Sequence, residues 1–238
     1  MLLRYVPLFV PPRHPKFGGK ELHAIPQFRT AHRGDRRNYL NALGPAVPGI
    51  REPFEFTPNY ADNLACLSNI KLMFPSVKIL LTVRDPVDRF YSALDHGKQE
   101  GHIDPSMTDL QAFELAISAN RPSLLGWSRS LLQKGIFVPS IRAAYGLFGR
   151  DNVFLTSLEL LSSKAEQKEL ARLANFVDMP ETTFDGATFV QRNRSQNRRR
   201  LLADLPRTRR TNAGEQMVRR FYARWDSELA KLLEERDS

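Results

Sequence analysis

Apolar positions along the chain fall into two kinds of run. Ile79 to Val83 and Val153 to Thr156 are short, nearly continuous apolar stretches, the pattern of strands buried on both faces of a parallel sheet. The other apolar residues recur at helical spacing. Leu64, Leu67, Ile70 and Met73 form one such face, and Leu110, Phe113 and Ile117 form another. Val138, Ile141, Tyr145 and Phe148 give a third, stopped by Gly149; Leu170, Leu173 and Val177 give a fourth, stopped by Pro180. Val218, Phe221, Trp225, Leu229 and Leu232 predict a terminal helix. Gln27 to Ile50 reads as irregular basic surface, and Gly97 to Ser106 as a loop. Strand–helix alternation of this kind predicts an α/β fold with a mostly parallel sheet and right-handed crossovers, as a single domain over 1–238.

The first strand leads into Arg84-Asp85-Pro86-Val87-Asp88. Asp85 suits an N-cap, Pro86 the first helical position, and Asp88 the positive helix start. Arg84 therefore lies at the carboxyl end of a strand, where open α/β sheets bind ligands. Ser92 follows two turns into the helix. A guanidinium fork and a hydroxyl at the top of a sheet can hold a phosphate. The same residues also fit a simpler role, with Arg84 pairing to Asp85 or Asp88 to hold the turn.

Charge changes the picture late in the chain. The net charge is +9, and hydrophobic content of 42% with 26% charged residues is ordinary for a globular protein. Residues 191–224 hold eleven arginines against Asp204 and Glu215, while bases and acids balance elsewhere. Such a segment attracts phosphate, sulfate or carboxylate polymers. Cys66 stands alone, so no internal disulfide forms. No apolar run is long enough to span a membrane, Leu2 to Val10 is too short for a signal peptide, and no cluster has metal-ligand spacing. Gly18-Gly19-Lys20 lacks the spacing of a phosphate loop, and Glu21 follows it directly.

VRDPVDRFYSAL, residues 84–94 with Val83, resembles the 3′-phosphate motif of sulfotransferases that use 3′-phosphoadenosine 5′-phosphosulfate (PAPS), and more narrowly of the branch acting on glycosaminoglycans such as heparan sulfate. The resemblance makes Arg84 and Ser92 the 3′-phosphate clamp. Lys20-Glu21-Leu22-His23 resembles that family's Lys-Glu-x-His segment, with Pro26 where an aspartate is usual. It implies Glu21 as general base, His23 as a catalytic donor that shapes the site, and Lys20 as a substrate contact. A carboxylate suits the task, since an acceptor hydroxyl must lose its proton as the sulfuryl group arrives. Glu55, Thr57, Pro58 and Tyr60 resemble the Glu-Lys-Thr-Pro-x-Tyr stretch, with Phe56 replacing the lysine; Thr57 and Tyr60 are the implied substrate contacts. Gly135 and Phe137 match a Gly-x-Tyr region, and Phe221-Tyr222 with Leu229 and Leu232-Leu233 match the closing helix. Arg198, Arg199 and Arg200 are the nearest equivalents of a basic loop that closes over the nucleotide.

The implied fold is three-layered and P-loop-NTPase-like, a parallel sheet flanked by helices. His14-Pro15 lies ahead of the Lys-Glu-x-His segment as in the family, but the first strand and the 5′-phosphosulfate loop have no counterpart in residues 1–20. The expectation is an N-terminally truncated or degenerate relative. Its implied reaction moves a sulfuryl group from PAPS to a carbohydrate hydroxyl or amine, without a metal, on a sulfated or acidic polysaccharide acceptor. Gln27 to Ile50 would then line an acceptor cleft. Two other readings stay open: an inactive module that keeps nucleotide or polyanion binding, and a nucleic-acid binder using residues 191–224. The latter segment lacks interleaved aromatics before Phe221 and Tyr222, so sequence-specific nucleic-acid readout is not expected. The compartment stays open, the Golgi lumen with an upstream anchor and the cytoplasm without one.

Overall fold

A computed structural model describes residues 24–26, 29–43, 57–118, 126–163, 165–181 and 207–237. It is a helix-rich α/β structure that divides into two compact units. One comprises Met1–Thr82 with Pro139–Val190, and the other Val83–Val138 with Gln191–Ser238.

In the first unit, the region expected to be irregular contains a helix, α1 (Arg33–Leu43). Asp35 explains the difference. Its carboxylate accepts from both terminal guanidinium nitrogens of Arg29 at 2.6 Å and from the His32 N–H at 2.9 Å, which anchors the first turn. The polar sequence hides this, because the anchor is electrostatic rather than apolar.

Helix α2 (Leu64–Met73) is capped by Asn63, whose side chain accepts from the Ala65 and Cys66 N–H groups. Its buried Asn69 accepts from Ala31 N at 2.8 Å and donates to the Pro26 and Arg29 carbonyls at 2.8 and 2.9 Å. That one side chain ties the segment after the Lys-Glu-x-His stretch to α2. Ile25, Ala31, Tyr60, Cys66 and Met73 pack together there.

Strands β1 (Ile79–Val83) and β2 (Val153–Ser157) pair in a small parallel sheet, and these are its two strands among the described residues. All five residues of β2 are buried, as the apolar run predicts. β1 is less enclosed: Leu81 and Val83 are buried while Thr82 is exposed, so its apolar run does not report two covered faces.

Three further helices are α3 (Pro86–Gln99), α4 (Asp109–Ser118) and α5 (Gly126–Gln133). α3 extends three residues into the stretch read as a loop; Gly97, Lys98 and Gln99 are buried, and buried Lys98 donates to the Met107 carbonyl at 2.5 Å. Helix α6 (Val138–Phe148) ends at Gly149, whose φ of 81° lies in the left-handed region that favours glycine. Helix α7 (Glu166–Phe176) packs Leu170, Leu173 and Ala174 on Phe154 of β2. Its end is pinned by Lys78, which donates to the Phe176 carbonyl at 2.6 Å and pairs with Asp178.

The second unit closes with α8 (Asn212–Glu234), which packs on α3 and α4. Val218 and Tyr222 join Phe90, Leu94, Phe113 and Leu131 in one core. The Tyr222 hydroxyl donates to the Leu132 carbonyl at 2.7 Å, and a side chain at Gly135 would sit 2.4 Å from that hydroxyl oxygen. Glycine there is a packing requirement.

Candidate functional site

The site begins where β1 gives way to α3. Asp85 caps α3 by accepting the Asp88 N–H at 2.7 Å, and Pro86 takes the first helical position. Arg84 precedes this cap. It is half-buried, and its Nε is buried with no hydrogen-bond partner among the described residues. The simpler role, a pairing of Arg84 with Asp85 or Asp88, is not what Nε does. A buried guanidinium N–H without an acceptor is costly, and an incoming anion relieves that cost.

Ser92 is exposed on α3. It shares a helix face with Asp88, four residues before it, and Asp95, three after. A second chain segment runs along this face. Thr208 N donates to Asp95 Oδ1 at 2.8 Å, and the Arg210 guanidinium pairs with Asp88 Oδ1 at 2.7 Å while lying 4.5 Å over the Tyr91 ring. Thr211 then caps α8 through Gly214 N and donates through its own N–H to Asp109 at 2.8 Å. Asp109 is fully buried and also accepts from the Tyr91 hydroxyl at 2.9 Å and from Thr211 Oγ1 at 3.1 Å. Burial, and then the Asp109 carboxylate, push the Tyr91 phenol well above its ordinary range. Thr208 Oγ1, like Arg84 Nε, is buried without a partner among the described residues.

Of the residues read from sequence, Arg84 and Ser92 thus flank the first two turns of α3. Thr57 and Tyr60 lie in the other unit, both buried, and the Tyr60 hydroxyl accepts the Ile25 N–H at 3.1 Å. Lys20, Glu21, His23, Arg198, Arg199 and Arg200 lie outside the described residues. Sequence reading placed Arg210 within the basic segment 191–224 without pairing it to Asp88, and missed Thr208, Asp95 and Asp109. The available signal was Asp95, which with Asp88 brackets Ser92 at helical spacing. Among the described residues no cluster of His, Cys, Asp or Glu is placed to hold a metal, and no helix is long and apolar enough to cross a membrane.

The fold is similar to the crystal structure of a sulfotransferase from Alicyclobacillus acidocaldarius, with a TM-score of 0.66 and 20% sequence identity over 98% of this chain and 90% of that one. No family profile matches the sequence, and no curated protein matches it. The chain thus has the α/β fold of that sulfotransferase.

Proposed function

We propose that the protein is a PAPS-dependent sulfotransferase acting on a carbohydrate of the glycosaminoglycan type, with Arg84 and Ser92 holding the donor's 3′-phosphate. The carrying observation is the buried Arg84 Nε, without a partner among the described residues, at the strand-to-helix turn, within a fold like that of a known sulfotransferase. A guanidinium in this place fits an anion, and Ser92 supplies an exposed hydroxyl on the adjoining helix face. PAPS carries the sulfuryl group in this reading.

Glu21 takes the acceptor hydroxyl's proton as the new oxygen–sulfur bond forms, and the bond from sulfur to the 5′-phosphate oxygen breaks with its electrons leaving on that phosphate. His23 and Lys20 orient the reacting groups, and Arg198, Arg199 and Arg200 cover the nucleotide. Catalysis then rests on alignment and charge stabilisation.

The test is transfer of labelled sulfate from PAPS to a panel of desulfated heparin, chondroitin and simple glycosides. Turnover on an acidic polysaccharide, lowered about 10²-fold or more by Glu21→Gln, supports the reading. Binding of 3′-phosphoadenosine 5′-phosphate without transfer to any member would leave an inactive nucleotide-binding module instead. Tight, sequence-selective DNA or RNA binding at near-physiological salt, with no nucleotide binding, would contradict it.

A further inference from the structure

The Arg84–Ser92 reading meets an electrostatic difficulty that the structure itself resolves. Ser92 lies between two carboxylates of its own helix face, Asp88 one turn before and Asp95 one turn after, each with its Cβ about 5–6 Å away. A phosphate dianion on Ser92 would be repelled by both. Yet each carboxylate is engaged by the same short segment. Arg210 pairs with Asp88 at 2.7 Å, and the Thr208 N–H binds Asp95 at 2.8 Å.

The segment is fixed at its carboxyl end. Thr211 is tied to buried Asp109 through its N–H and hydroxyl, and the Arg210 guanidinium rests on the face of Tyr91, which is itself hydrogen-bonded to Asp109. The Arg210–Asp88 pair is half-exposed, with side-chain accessibilities of 45% and 43%. A pair so exposed adds little to stability. Its effect is on the local potential instead.

We propose that residues 208–210 form a charge shield that makes the acidic face of α3 accept an anion at Ser92, with Arg210 acting through Asp88 rather than by touching the ligand. This rests on the 3′-phosphate reading and names how that site is regulated: whatever displaces residues 208–210 exposes Asp88 and Asp95 and expels the phosphate. Arg210 is thus a positioning residue.

A double-mutant cycle tests it, read by calorimetric titration of 3′-phosphoadenosine 5′-phosphate, with adenosine 5′-phosphate as the probe lacking a 3′-phosphate. Arg210→Ala removes the ion-pair partner of Asp88, leaving the more distant Arg219 as the cation it interacts with, and should weaken binding of the first ligand by about tenfold. Asp88→Asn should bind at least as tightly as wild type. The double variant Asp88→Asn with Arg210→Ala should return to within about threefold of wild type, and Arg210→Lys, which keeps the charge, should do the same. Affinity for adenosine 5′-phosphate should not respond to any of them.

Wild-type affinity in Arg210→Ala overturns the shield, and so does a double variant as weak as Arg210→Ala, which would make Arg210 a direct ligand. Arg84→Ala separates the two levels of the argument. If it weakens binding while the Arg210 variants do not, the 3′-phosphate reading stands and the shield falls. If wild type fails to bind, or Arg84→Ala binds equally well, the underlying reading fails and takes the shield with it.

Discussion

Two arginine–aspartate pairs in this protein look alike in sequence and differ in what they do. At the start of α1, Asp35 is 8% exposed, receives Arg29 through two 2.6 Å hydrogen bonds, and also holds the His32 N–H. On α3, Asp88 meets Arg210 through a single pair, with both side chains near half exposure. The first arrangement is bidentate and over-determined, so it fixes local backbone. The second is open to solvent and to ligands, so it sets the potential beside Ser92. Number of partners and burial separate structural pairs from functional ones better than the distance between charges does, since both are close.

Asp109 extends the structural end of this comparison and should show the largest effect on stability. It is fully buried with Tyr91, Thr211 and Leu110 as donors. Asp109→Ala leaves these donors without an acceptor and should cost about 3 kcal/mol or more, seen as a lower urea midpoint. A midpoint unchanged by Asp109→Ala would mean that α8 is seated by its apolar face alone.

Asp35 should come next. The Arg29 guanidinium beside it, followed by the His32 N–H, holds its carboxyl far below the usual range. Because the folded-state pKa is depressed, this contribution is complete above the unfolded value of about 3.9 and is lost as pH falls below it. Asp35→Asn should therefore lower Tm at pH 7 and flatten the acid limb of the stability curve below about pH 4. Identical acid limbs for both proteins would remove the pair from the account.

At the other end, Arg210→Ala should change stability by about 0.5 kcal/mol or less while altering ligand affinity. A drop comparable to that of Asp109→Ala would erase the distinction between the two classes of pair. Cys66 gives the smallest signal: burial pushes its thiol up to about 11, so native protein should alkylate slowly at pH 8, at a rate that follows local opening of the α2 region. Reaction as fast as that of a free thiol would show that this packing is loose.

Much of this architecture was legible in the apolar pattern. Ile79–Val83, the Asp85–Pro86 helix start and the helices α2, α4, α6, α7 and α8 follow from periodicity and capping chemistry, while Leu64 and Ile117 of the expected apolar faces are exposed. What escaped was polar. α1 is nucleated by a carboxylate contact that no hydrophobic period records, and the last three residues of α3, Gly97, Lys98 and Gln99, are buried although none is an apolar residue of a helical stripe. Arg84 and Ser92 could be named from their spacing after a strand. Arg210 could not, because the contact that places it joins residues 122 positions apart in a segment that reads only as basic.

The most direct test of the central claim is calorimetric titration of 3′-phosphoadenosine 5′-phosphate into wild type, Arg84→Ala and Ser92→Ala at near-physiological salt. Loss of the charged fork should weaken binding at least about tenfold, and loss of the hydroxyl by a smaller factor, about threefold to tenfold, with both variants folded by circular dichroism. Equal affinity in wild type and Arg84→Ala would contradict the claim that the Arg84 guanidinium at the β1–α3 turn is the phosphate site.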